Sequence, residues 1–114
     1  MKPAIKKKWV AALRSGKYKQ TEGALKEWNP TSHRAGYCCL GVLRELMPTH
    51  IKEVARKGGD ELLSSAQLKW AGLSHKSQDS LANLNDEMGY DAEKNKQYHM
   101  NDFKTIADYI EKRL

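Results

Sequence analysis

The sequence has few cysteines and no long hydrophobic run, and each shortage narrows the kind of protein it can encode. Only two of its 114 residues are cysteines. A secreted domain of this size usually contains more, so we expect a reducing, cytoplasmic compartment. No apolar run approaches the ~20 residues that cross a bilayer. The apolar part of the amino-terminal MKPAIKKKWVAALRSG is too short and too broken by charge for a signal peptide, so we predict no contact with a membrane.

Acidic residues are absent from the first twenty positions, although the whole chain contains 14 of them. Seven positive charges lie in this segment and leave the rest of the chain at −1, out of a formal net charge of +6. Concentrated positive charge attracts nucleic acid, a phosphorylated small ligand or an acidic protein surface. A first helix with a solvated lysine face explains the same pattern. The sequence leaves both explanations open.

The motifs of several common enzyme classes are also missing. The sequence contains no HExxH zinc motif, no glycine-rich phosphate loop, no GxSxG nucleophile motif and no carboxylate pair at a useful spacing. These absences favour a binding function over catalysis, and we predict no cofactor and no metal ion.

Apolar residues recur at helical spacing in several stretches, which predicts a mainly α-helical fold. A chain of this length can bury one modest core, so we predict a single domain over residues 1–114. One or two helical turns are also expected after Pro48. The five main helices are predicted at about residues 3–15, 37–47, 64–72, 74–88 and 101–114.

Strands are only weakly indicated. The stretch KYKQTEGALKEW, residues 17–28, loses the helical period and predicts a small hairpin. The composition of NPTSHRAG and of YDAEKNKQYHM predicts loops at residues 29–36 and 90–100. An α+β fold is therefore the alternative to the mainly α-helical one.

The two cysteines are adjacent, at the expected start of the second main helix. Neighbouring helical residues point about 100° apart, and zinc sites usually space their cysteines as C-x₂-C, so a shared metal or disulfide is disfavoured. A thiol at a helix N-terminus is acidified, and Cys38 or Cys39 with His75 or His99 would resemble a cysteine-dependent hydrolase. Small apolar side chains beside Gly41 would instead let another element approach closely. We predict this packing role and keep the hydrolase as the alternative.

Four motifs occur together along the chain: W-x₃-L-x-S-G-x-Y-x-Q at residues 9–20, Y-C-C-L-G-V-L at 37–43, L-N-D at 84–86 and F-x-x-I-A-x-x-I at 103–110. In these motifs the chain resembles a family of small uncharacterised proteins encoded by bacteriophages and prophages. The resemblance spans nearly the whole chain and departs at residues 89–100, where this sequence has an insertion. It supplies no catalytic residues.

The resemblance implies a non-virion accessory protein in the cytoplasm of an infected bacterium. Small phage proteins of this kind often inhibit host enzymes or immune systems. We therefore expect a non-enzymatic inhibitor of a host defence or metabolic system, which binds either an anionic nucleotide-type ligand or a host bacterial protein. Nonspecific binding of nucleic acid by the basic first helix is a further alternative. The sequence does not predict the oligomeric state.

The candidate ligand site follows the first helix. Lysines there would neutralise phosphate, Tyr18 offers a stacking face, and Arg34 could bind phosphate through two hydrogen bonds. Structural roles are the competing interpretation, with Ser15 ending the first helix and Asn85 and Asp86 capping a later one. The predicted ligand-binding residues are Ser15, Lys17, Tyr18, Lys19, Gln20, Arg34, Asn85 and Asp86.

Overall fold

Six α-helices and five β-strands form the chain, and the computed structural model describes residues 1–114. The helices are α1 (Pro3–Arg14), α2 (Cys39–Glu45), α3 (Thr49–Lys52), α4 (Ser65–Ala71), α5 (His75–Asp86) and α6 (Phe103–Arg113). The strands are β1 (Lys19–Gln20), β2 (Lys26–Asn29), β3 (Arg34–Tyr37), β4 (Met88–Asp91) and β5 (Lys96–His99).

The prediction of a mainly α-helical chain is wrong, because the strands build two separate sheets and the fold is α+β. In the first sheet β3 lies in the centre, parallel to β1 and antiparallel to β2. The hairpin expected within residues 17–28 is therefore absent, since β1 and β2 both pair with β3, which was predicted as a loop. The second sheet is the antiparallel hairpin β4–β5, in another predicted loop.

The fold contains two hairpins, β2–β3 and β4–β5. Both depend on local features that an apolar pattern does not report. Their turns contain non-glycine residues with positive φ, His33 at 53° and Asn95 at 49°. In the second hairpin the ring of Tyr98 lies across its partner Gly89, where an added Cβ would be 2.3 Å from the ring. An aromatic ring over a strand glycine is a known means of fixing strand register.

The helix predictions for α1, α4 and α6 are confirmed, and their ends follow ordinary capping chemistry. Ser64 and Gln67 form a capping box at the start of α4, and Gly72 ends that helix in the left-handed conformation. Asp102 accepts a hydrogen bond from the backbone of Thr105 at the start of α6, which holds the pKa of Asp102 below its ordinary value. α5 is shorter than predicted, because β4 begins directly after it.

One apolar cluster fills the space between α1, α2, α5 and α6. Trp9 is fully buried in this cluster, and its indole N–H donates a hydrogen bond to the carbonyl of Cys39 at 2.9 Å. α2 starts later than predicted, at Cys39, because β3 continues to Tyr37. At Gly41 an added Cβ would lie 1.7 Å from the carbonyl oxygen of Leu25. Glycine is therefore required where the segment before β2 crosses α2.

None of the six helices combines the length and the apolarity needed to cross a membrane.

Candidate functional site

Asn85, near the end of α5, is fully buried and hydrogen-bonds to four other residues. Its Oδ1 accepts from the backbone N–H of Cys39 and from Nε2 of Gln20, both at 3.1 Å. Its Nδ2 donates to the carbonyl of Thr21 at 2.8 Å and to Oδ1 of Asp86 at 3.0 Å. Since a buried amide is costly unless it is paired, this network fixes α5 against α2 and the end of β1.

Two further predicted site residues extend the same network. Nε2 of Gln20 also donates to the carbonyl of Asn101 at 2.8 Å. Oδ1 of Asp86 also accepts from the backbone N–H of Gly23 at 3.1 Å. The structure thus brings Gln20, Asn85 and Asp86 together, and their hydrogen bonds join segments of the fold to one another.

Both cysteines are buried thiols in the core. Cys38 is 4% exposed, and burial raises its pKa to about 11. Cys39 has no exposed surface, its pKa lies well above the ordinary value because of burial, and its thiol donates to the carbonyl of Leu81 at 3.6 Å. A nucleophile must be a thiolate, and these surroundings favour the neutral thiol. The arrangement therefore supports packing over the hydrolase alternative.

Three other predicted residues lie around the end of α1. The hydroxyl of Ser15 donates to the carbonyl of Ala12 at 2.6 Å, which is a helix-end contact. The ammonium of Lys17 lies 5.8 Å from the ring centre of Tyr18. That ring meets Tyr37 of β3 edge-on, with the centres 5.2 Å apart. Tyr18 thus packs partly against the sheet, with Lys17 over its ring.

A polar pocket of about 380 Å³ lies on one face of the β1–β3–β2 sheet. Gly36 of β3 pairs with Lys19 of β1 and with Glu27 of β2. The side chains of Lys19 and Glu27 therefore lie on the same face of the sheet. Arg34 precedes Gly36 by two residues and points to the same side. Thr21 forms a wall, because a Cβ added to Gly36 would lie 2.9 Å from Cβ of Thr21.

The two cations of this pocket have no acidic partner. Neither Lys19 nor Arg34 has a carboxylate oxygen within 4.0 Å of its side-chain nitrogen atoms. Arg14 is different, because it binds Asp108 at 2.6 Å and Glu111 at 2.9 Å. The guanidinium of Arg34 and the ammonium of Lys19 are therefore available to an anion.

The two acidic residues that line the pocket each have one polar side-chain contact within the chain. Oε2 of Glu27 accepts a long hydrogen bond of 3.4 Å from the hydroxyl of Thr21. Oε2 of Glu22 lies 3.5 Å from Nε2 of His99, in β5. The pocket lining therefore contains both cations and carboxylates, and neither carboxylate lies within 4.0 Å of a lysine or arginine.

Trp28 borders the pocket at the free edge of β2 and is 59% exposed. It pairs with Ala35, so its side chain belongs to the opposite face from Arg34. Its indole meets His33 edge-on, with the ring centres 6.5 Å apart. A large exposed indole of this kind is typical of binding surfaces.

Of the predicted ligand-binding residues, the structure brings Lys19, Gln20 and Arg34 to this pocket. Sequence reasoning missed Glu22, Glu27 and Asn29 as lining residues. Only the strand register places Glu27 on the same face as the two cations, and the sequence predicted neither that register nor β3. The one available signal was that alternate side chains of a strand with the sequence KEWN would lie on opposite faces.

The comparison with protein families gives one match. The model of DUF8296, a domain of unknown function, matches residues 1–114. The chain belongs to this family. No curated protein and no solved structure matches it. Membership of DUF8296 assigns no activity, so the function has to be argued from the geometry of the chain.

A second group of basic residues in this DUF8296 domain lies on α1 and just before it. None of the four amino-terminal lysines has a carboxylate within 4.0 Å. Arg14 alone in this segment is neutralised, by α6. These four free charges are Lys2, Lys6, Lys7 and Lys8.

Proposed function

We propose that the protein is a non-enzymatic binding protein that holds an anionic, nucleotide-type ligand in the polar pocket of the β1–β3–β2 sheet. One observation supports this above all others. Lys19 of β1 pairs with Gly36, Arg34 precedes Gly36 by two residues on β3, and both face the same pocket without being neutralised by the chain. A guanidinium binds phosphate through paired hydrogen bonds, and a lysine adds a mobile point charge.

The size and composition of the pocket suit such a ligand. Its volume of about 380 Å³ falls in the range of ~300–1,000 Å³ that small-molecule sites occupy. Most of its lining is polar, which favours a ligand with many hydrogen-bonding groups over an apolar one. Gln20 at its edge is anchored through its side chain to Asn85 and to the carbonyl of Asn101, so the backbone of this part of the lining is preorganised.

The biological role that we propose follows from the resemblance to phage-encoded accessory proteins. A protein that sequesters a nucleotide in an infected bacterium would inhibit the host defence or metabolic system that depends on that nucleotide. Binding to a host protein is the alternative route to the same inhibition, and the exposed indole of Trp28 is the feature that favours it.

Calorimetric titration of nucleoside phosphates into wild type, Arg34→Gln and Lys19→Gln tests the proposal. A hydrogen bond to a charged group contributes about 1.5–3 kcal/mol, so we expect R34Q to weaken binding by roughly tenfold to hundredfold. Arg113→Gln and Lys96→Gln are matched controls, because both residues are exposed and lie outside the pocket. If R34Q and R113Q bind a nucleotide equally well, the pocket is not its site.

Nucleic-acid binding by α1 is a second candidate function. Four free lysines in a segment without acidic residues favour it, because such a surface attracts a phosphodiester backbone regardless of sequence. It would use a different surface from the pocket, so the two functions can be separated by substitution.

A further inference from the structure

The strand register fixes the position of Glu27 in the polar pocket relative to Lys19 and Arg34. Glu27 is directly opposite Gly36, and Lys19 lies on the other side of the same glycine. Adjacent strands are about 4.8 Å apart, so the Cα atoms of Glu27 and Lys19 are separated by about twice that distance. Arg34 is the diagonal neighbour of Glu27, with their Cα atoms roughly 7–8 Å apart. A ligand that spans the pocket from β1 to β2 therefore meets Lys19 at one end and Glu27 at the other, with Arg34 on the strand between them.

The carboxylate of Glu27 is available to such a ligand. Its only hydrogen bond within the chain is the 3.4 Å contact from the hydroxyl of Thr21, and no basic side chain lies within 4.0 Å. Glu22 differs, because its carboxylate lies beside the imidazole of His99. An ionised carboxylate only accepts hydrogen bonds. The group placed against Glu27 must therefore offer donors.

We propose that the pocket selects nucleotides whose base is guanine, with the phosphate on Lys19 and Arg34 and the base on Glu27. This inference rests on the proposed function. Guanine alone among the common bases has two adjacent donors, the ring N1–H and the exocyclic amino group, which match the two oxygens of a carboxylate. Adenine and cytosine place a ring acceptor beside their amino group, and uracil flanks its single N–H with two carbonyls. Those acceptors repel a carboxylate.

Because Glu27 is charged, its replacement should change the affinity for different nucleotides in different directions. Glu27 weakens the attraction of the pocket for any anion, since it is itself negative. It would improve binding only for a ligand that donates hydrogen bonds to it. Glu27→Gln should therefore act in opposite directions on different nucleotides, whereas Arg34→Gln should weaken all of them.

The test is a calorimetric comparison of GMP, AMP, CMP and UMP at one ionic strength. We expect wild type to bind GMP at least tenfold more tightly than the other three. E27Q should bind GMP at least tenfold more weakly than wild type while binding AMP and UMP equally well or better. Inosine monophosphate, which keeps N1–H but lacks the amino group, should fall between GMP and AMP.

Two further variants serve as controls. Glu53→Gln removes an exposed carboxylate outside the pocket and should keep the wild-type preference. R34Q should lower the affinity for all four nucleotides by a similar factor. Equal binding of the four nucleotides by wild type would overturn the guanine inference and leave the nucleotide pocket standing. No binding of any nucleotide would overturn both.

Discussion

At the scale of single residues, the amide of Asn85 joins segments that are far apart in the sequence. It connects α5 to the N-terminus of α2, to Gln20 and to the backbone of Thr21. Asparagine fits this position because its one side chain supplies both an acceptor and a donor. A hydrophobic residue of similar size would leave the buried groups around it unpaired.

We predict that Asn85→Ala destabilises the protein by about 3 kcal/mol or more, because each buried polar group left without a partner costs about 1–3 kcal/mol. Urea denaturation of wild type and variant measures the change in the free energy of unfolding. Asn83→Ala is the matched control, since Asn83 is exposed on the same helix, and an exposed substitution changes stability by about 0.5 kcal/mol or less. Equal losses in the two variants would show that the network is unimportant.

The buried thiols predict a loss of stability in alkaline solution. Burial raises the pKa of Cys38 to about 11 from the ordinary value of 9.0. Between these two values the unfolded chain loses the thiol proton while the folded chain keeps it, so the free energy of unfolding falls as pH rises. The slope approaches about 1.4 kcal/mol per pH unit for one thiol.

The measurement is urea denaturation between pH 8 and 11, with the pH range taken from that shift. Cys38→Ala should show a shallower fall in stability with pH than wild type, although it is less stable at pH 7 because of the cavity. Because the two proteins differ only at position 38, the difference between their slopes reports this thiol. Identical slopes would mean that burial does not raise the pKa of Cys38.

At the scale of helices and strands, the sequence predicts the helices better than the strands for a physical reason. The apolar stripe of α6 includes Phe103, Ile106 and Ile110, and the caps of α4 lie within a few residues of the helix. Such signals are local. β3 has the sequence RAGY, in which no apolar alternation is visible. Its stability comes from pairing with β1 and β2, and that pairing is not encoded in the segment itself.

The same difference decides how much of the candidate site could be predicted. Lys19 and Arg34 could be chosen from the sequence because cations near an aromatic residue suggest phosphate binding. Glu27 could not, because its position beside them depends on the register of β2 against β3. The network around Asn85 also escapes sequence reasoning, since the segments that it joins are 46 to 65 positions apart.

The first helix supports a separate prediction about salt. If α1 and the residue before it bind duplex DNA, replacing the four free lysines of this segment by glutamine should weaken binding. It should also flatten the dependence of log K on log salt by about 0.9 for each phosphate that the variant no longer neutralises. Fluorescence anisotropy of a labelled random-sequence duplex at several salt concentrations measures this slope. The variant replaces Lys2, Lys6, Lys7 and Lys8.

A control variant with the same net charge separates a local surface from a general effect of charge. It replaces four exposed lysines outside α1 and should keep a slope closer to that of wild type. An identical slope for both variants would exclude α1 as a specific nucleic-acid surface. The control positions are Lys57, Lys76, Lys94 and Lys96.

At the scale of the whole molecule, the four free amino-terminal lysines and the polar pocket lie on different elements. α1 packs along α6, and Arg14 is neutralised there by Asp108 and Glu111. The pocket lies on the β1–β3–β2 sheet, whose β3 leads directly into the buried start of α2 at Cys38 and Cys39. The buried core thus holds the sheet in place, and the proposed ligand site includes no reactive group from that core.

Mass spectrometry of the small molecules released on denaturation provides the decisive experiment. The protein is purified from bacteria under native conditions, as wild type, as the double variant K19Q/R34Q and as the control K96Q/R113Q. Wild type and the control should release the same phosphate-bearing nucleotide in similar amounts, and K19Q/R34Q should release at most a trace. A wild-type protein that releases no nucleotide, or a double variant that releases as much as wild type, would contradict a nucleotide site at Lys19 and Arg34.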